Sequence, residues 1–304
     1  MFVPSGTQFE ISAGDQRATV VEVGGAVRAY DVGDHHVLDP FPLGAMCDGA
    51  HGSPLVPWPN RLADGRYTWD GHAQQVALTE PEKQNAIHGL LRWVPWVARA
   101  HEADRVVLGA TIHPQSGYPF ALDVQVEYVV GADGLTVTTT AENVGDAALP
   151  YAHGQHPYLS AGDGTLDDCT LEFAAATRID TDAVRQLPTG TAAVAGTEHD
   201  FSTRRVIGAF TMDFAFTDLG RDADGRAWAS VGRADGSFAE LWVDESYPYV
   251  ELYTGDTLAP PRRRLGLGCE PMTAPPNAFA TGEQVIRLEP GERAVTRWGA
   301  RLRT

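Results

Sequence analysis

Short runs of alternating apolar and polar residues recur along the chain: Ala18–Val23, Val27–Tyr30, Arg105–Ile112, Leu122–Val130, Leu135–Glu142, Thr170–Phe173, Ala227–Val231, Ala239–Val243, Tyr249–Tyr253, Gln284–Leu288 and Ala294–Trp298. A period of two sends every second side chain to one face, so each run predicts a half-buried β-strand. The runs are rich in Val, Thr, Tyr and Phe. Turn residues divide them, such as Gly24-Gly25, Ala132-Asp133-Gly134, Asp224-Gly225 and Asp235-Gly236. Nowhere do apolar residues hold helical spacing for three turns, and 32 Gly with 20 Pro punctuate the chain too often for long helices. The pattern therefore predicts an all-β fold. Two packed sheets bury one face of each strand, giving a large antiparallel β-sandwich. No Pro- or Ser-rich linker, charge run or internal repeat divides the sequence. A single domain over residues 1–304 is expected, with the small residues of Pro188–Thr197 as a surface loop.

Charge narrows the partners. A formal net charge of -17 repels phosphate backbones and anionic bilayers, so neither nucleic acid nor a membrane is an expected partner. Cys47, Cys169 and Cys269 are widely spaced and odd in number, which suits a reducing compartment rather than a disulfide framework. The N-terminal stretch has no basic region followed by an apolar one, and no window approaches a membrane span. A cytoplasmic location is expected.

Several segments break the strand pattern yet concentrate reactive side chains. They are Pro57-Trp58-Pro59-Asn60-Arg61-Leu62, Asn85-Ala86-Ile87-His88-Gly89, Gly117-Tyr118-Pro119-Phe120, Gly154-Gln155-His156-Pro157-Tyr158, Met212-Asp213-Phe214-Ala215-Phe216, and Glu270-Pro271-Met272-Thr273 followed by Pro275-Pro276-Asn277-Ala278-Phe279. Loops held on a rigid sheet are where binding groups usually sit.

In this order and at these spacings the segments resemble the aldose 1-epimerase (galactose mutarotase-like) family, from about residue 8 to residue 300. The resemblance implies a β-supersandwich that binds a small sugar across one open face. A monomer or a homodimer is expected, and the reaction so implied requires no metal or cofactor. It implies that Glu270 is the general base and His156 the general acid, with His88, Arg61 and Asp213 positioning the sugar. One departure is Gly-Gln-His-Pro-Tyr around His156, where the best-known galactose mutarotases have Asn-His-Thr-Tyr; it bears on the substrate more than on the reaction.

The implied reaction interconverts α and β anomers of a free aldose. A proton leaves the anomeric hydroxyl while another reaches the ring oxygen, the ring opens to an aldehyde, the C1–C2 bond rotates, and the same groups close it in reversed roles. Two titratable groups suffice. Leu267, Cys269 and Met272 around Glu270 are apolar company that raises a carboxyl pKa. Arg61 supplies fixed donors and Asp213 accepts from hydroxyls. Trp58, Trp93, Tyr158 and Phe279 are candidates to pack on the sugar ring.

His153 and His156, with His51, His35 and His36, invite a metal, but residues i and i+3 of an extended segment face opposite ways. The run Arg262-Arg263-Arg264 reads as solvated, or as a site for a substrate phosphate or sulfonate, which keeps an epimerase of anionic sugars in view. A carbohydrate-binding protein on the same fold would need hydroxyl contacts but no acid-base pair. A glycoside hydrolase would need two opposed carboxylates.

Overall fold

The computed structural model describes residues 2–304, and its elements are almost all antiparallel strands. Two sheets dominate. A nine-stranded sheet is centred on Leu122–Gly131, Gly134–Asn143 and Arg293–Arg303, and a twelve-stranded sheet on Tyr158–Ser160, Gly266–Met272 and Tyr249–Tyr253. Strand Leu122–Gly131 alternates buried and half-buried positions along its length, as its sequence period requires. Leu122, Val124, Val126, Tyr128 and Val130 point inward and share a core with Leu267, Cys269, Val250 and Leu252 of the other sheet. Among the described residues helix is confined to one turn, Ala278–Thr281, and three 3-10 turns. Among the described residues no helix is long and apolar enough to cross a membrane.

Two kinds of strand escaped the alternation rule. Pro188–Ala193, read from sequence as part of a loop, is an edge strand paired with Ala175–Thr181. It is largely exposed on both faces, so nothing selects a two-residue period. Gly266–Met272 is the opposite case: all seven residues are buried, which again erases alternation. Asp213–Leu219 and Arg61–Ala63 are likewise strands. Three of the five candidate residues therefore stand on strands rather than on loops: Glu270 and Asp213 on the twelve-stranded sheet and Arg61 on a two-stranded one.

Candidate active site

The site begins with register. Glu270 lies directly opposite Glu251, Tyr253 opposite Gly268, and Asp213 opposite Tyr253. Residues opposite each other share a face. Because Leu267, Cys269, Val250 and Leu252 fill the core face, Glu270, Glu251, Tyr253 and Asp213 all project from the other one.

Above them, Arg61–Ala63 pairs with Asn85–Ile87 and delivers Arg61 and, one residue beyond, His88. Asn60 and His88 both hold the left-handed backbone conformation, at φ 54° and 62°, which is uncommon for these residues and tends to mark functional positions. They lock each other. The Asn60 amide donates to Nδ1 of His88 at 3.2 Å, and the His88 amide donates to the Asn60 carbonyl at 3.0 Å. Nδ1 is thus an acceptor, and in the neutral ring Nε2 carries the proton. The next residue has to be glycine, because a Cβ on Gly89 would lie 1.9 Å from the Val56 carbonyl oxygen at φ +70°.

His156 is held from below. The buried Gln155 amide donates to the Tyr128 hydroxyl at 2.9 Å and the Gly52 carbonyl at 3.2 Å, and its oxygen accepts from the Trp298 indole at 2.9 Å. The His156 ring stacks on Tyr158, centroids 4.9 Å apart, and Tyr158 stacks on His51 at 3.7 Å. His51 in turn meets Asp39 at 3.0 Å.

All five candidates, Arg61, His88, His156, Asp213 and Glu270, line one pocket of about 390 Å³. Nε2 of His156 is 3.1 Å from Oε1 of Glu270, and the His88 and His156 rings meet edge to face at 5.3 Å. Burial drives His88 and His156 well below the ordinary histidine pKa, and the positive charge of Arg92 adds to this. Burial also drives Glu270 well above the carboxylate range; the Asp213 charge pushes the same way, and Arg61 and Arg92 oppose it. Glu251 is raised by burial and then by the charge of Glu270. Its Oε2 accepts from the Asn60 side chain at 2.6 Å. Asp213 accepts from Gln186, and Arg61 grips Glu80 through Nε at 2.9 Å and Nη2 at 3.1 Å.

Some expectations need correction. The arginine run is neither solvated nor in the pocket: Arg262 pairs with Asp39 at 2.7 Å, and Arg264 with Asp167 at 2.6 Å and Asp256 at 2.8 Å, leaving only Arg263 exposed. Trp58 and Phe279 pack on each other in the core and Trp93 lies half exposed, so Tyr158 alone of the four aromatics lines the pocket. Tyr253, which does line it, went unread. His153 is turned into the core against Tyr247 and Thr296, away from His156. Glu251 and Arg92 were missed; Glu251 carries a readable signal, since it shares strand parity with two tyrosines in Tyr249–Tyr253.

The model of the aldose 1-epimerase family matches residues 7–298. The chain belongs to this family. Among aldose 1-epimerase relatives it is 27% identical over 218 residues to the aldose 1-epimerase of Escherichia coli K12, covering 67% of this chain and 60% of the relative. It is 32% identical over 292 residues to the uncharacterized protein YihR of the same organism, covering 95% of this chain and 91% of that one. The fold superposes on a crystal structure of a putative aldose 1-epimerase from Escherichia coli K12 with a TM-score of 0.82 at 21% identity, over 98% of this chain and 99% of the other. It also superposes on the aldose epimerase homologue from C. elegans with a TM-score of 0.85 at 18% identity, over 98% of each.

Proposed function

We propose that the protein is an aldose 1-epimerase acting on a free aldose, with Glu270 and His156 as its acid-base pair and His88, Arg61 and Asp213 as its sugar-positioning groups. The observation that carries this reading is the buried contact of 3.1 Å between His156 Nε2 and Oε1 of Glu270, at the base of a pocket wide enough for one pyranose.

In ring opening Glu270 takes the anomeric proton while His156 gives one to the ring oxygen, and in closing each reverses its role. The state left by opening, a neutral imidazole beside a carboxylic acid, is the one that burial favours for both groups. The two groups therefore sit close to the protonation state of the open-chain intermediate. Arg61, fixed by Glu80, and Asp213, fixed by Gln186, offer one oriented donor and one oriented acceptor to ring hydroxyls. Glu251 adds a second carboxyl but stands beside Glu270 on the same sheet face and is tied to Asn60. That is not the pair flanking a glycosidic bond that hydrolysis needs.

His88, His156 and Glu270 bring donor atoms within 4.8 Å of one another, a set that two-histidine, one-carboxylate cation sites also use. Proton transfer requires no Lewis acid, so activity should survive exhaustive dialysis against a chelator; loss of turnover that zinc or manganese restores would assign these residues to a metal instead. The direct test is the decay of optical rotation of fresh α-glucose, α-galactose and glucose 6-phosphate with purified protein. Acceleration of at least one above the buffer rate is expected. Tight sugar binding with no acceleration would make this a carbohydrate-binding protein.

A further inference from the structure

Three cations line the pocket, and two of them are accounted for: Arg61 and Lys83 both bind Glu80. The third is Arg92. Among the described residues its guanidinium has no hydrogen-bond or ion-pair partner; its one polar-type contact is with the ring of the exposed Trp93, 5.3 Å away. The chain carries 40 acidic residues to 23 basic ones, so carboxylates to pair with an arginine are abundant. A half-buried guanidinium facing a pocket without one is a group prepared for an anion from outside.

Its position says which part of a sugar it would meet. Arg92 lies close enough to His88, His156 and Glu270 to act electrostatically on all three. In the proposed reaction His156 serves the ring oxygen. The carbon bonded to that oxygen on the side away from C1 carries the exocyclic C6, so a C6 substituent lies within a few bonds of His156. Arg92 lines the same pocket as His156, Gly49 and Tyr158, and its charge reaches the His156 ring.

We propose that Arg92 forms an anion subsite and that the preferred aldose carries a negative group at C6: a phosphate, sulfonate or carboxylate. This rests on the pocket being an aldose 1-epimerase site, and it moves the anion-binding role from the arginine run, whose Arg262 and Arg264 are engaged elsewhere, to Arg92. The chain's strong negative charge does not oppose it at this range, because screening confines exposed charges to about 8 Å at physiological salt.

The experiment is kcat/KM for anomer exchange, measured by NMR, with glucose, glucose 6-phosphate, the 6-sulfonate analogue and glucuronate, for the wild type, Arg92→Gln and Arg92→Lys, all checked for unchanged thermal melting. The wild type is expected to favour at least one anion over glucose by roughly ten- to hundred-fold, the scale of a charge-assisted bidentate contact. Arg92→Gln should cost that anion at least ten-fold more than it costs glucose, mainly through KM, and Arg92→Lys should fall between. The three arms identify which anion the site prefers. Glucose turned over as well as every anion, or an equal loss for neutral and anionic sugars in Arg92→Gln, overturns the subsite and leaves the epimerase reading standing. The equal loss would make Arg92 a positioning residue for Glu270. No exchange with any of the four sugars overturns both.

Discussion

Glu270 and Asp213 face the same pocket from different strands, and the charge of one reaches the other. Burial is the largest cause of the raised Glu270 pKa, and the Asp213 carboxylate is the next. Removing that charge lets Glu270 ionise at lower pH. Since a base works only when ionised, Asp213→Asn should shift the acidic limb of the kcat/KM profile to lower pH, while lowering its plateau through a lost sugar contact. A limb that stays in place in this variant contradicts the assignment of that limb to Glu270. The candidate residues of the pocket were legible because each sits in a short, odd motif, such as Ile87-His88-Gly89 or Gln155-His156-Pro157-Tyr158. Glu251 offers only its parity with Tyr249 and Tyr253, and strand register is what sets it beside Glu270; Arg92 lies in unremarkable sequence, and the absence of a partner is what gives it meaning.

At the level of elements, the precision of the site depends on how two loops are tied down. Gly89 sits against the Val56 carbonyl with positive φ, so Gly89→Ala combines a left-handed backbone penalty of about 1–2 kcal/mol with a backbone clash. It should lower stability by at least that much in denaturant unfolding and displace His88, cutting activity further than the stability loss explains. Gln155 acts the same way for His156. Gln155→Ala strands the fully buried Trp298 indole, at about 1–3 kcal/mol for the group left unsatisfied, and takes one bond from the Tyr128 hydroxyl, which keeps its bond to the Gly25 carbonyl at 2.7 Å. A melting temperature equal to wild type would show that these bonds do not hold the segment. The period-two pattern identified strands with one wet face and one dry face, such as Leu122–Gly131. It failed for Pro188–Ala193, wet on both faces, and for Gly266–Met272, dry on both, because neither environment rewards alternation. The strand that carries Glu270 is in the second class, which is why it read as a break in the fold.

Across the whole molecule, buried neutral histidines link stability to pH. Burial takes His153 down to about 3, whereas in the unfolded chain it titrates near 6.5. Below pH 6.5 the unfolded state therefore binds a proton that the native state refuses, and this contribution to stability falls by about 1.4 kcal/mol per pH unit until pH nears 3. Glu270 and Glu251 act in the opposite sense, since their raised native pKa values favour the folded state as pH drops. The difference between wild type and His153→Gln isolates the histidine: between pH 4 and 6 the wild type should lose stability more steeply, by about one proton's worth. Parallel curves would mean that His153 is protonated in the native protein.

The sandwich, its register and its two tied loops together place one carboxyl and one imidazole at hydrogen-bonding distance in a buried pocket. The most direct measurement of what that pair does is anomer exchange by Glu270→Gln and His156→Asn, followed by NMR beside calorimetric binding of the same sugar. Glu270→Gln keeps size and hydrogen bonding but removes basicity, so turnover should fall by roughly 10²–10⁴-fold with little change in affinity, and His156→Asn should behave alike. Near wild-type turnover in Glu270→Gln would contradict the proton-transfer role of the pair.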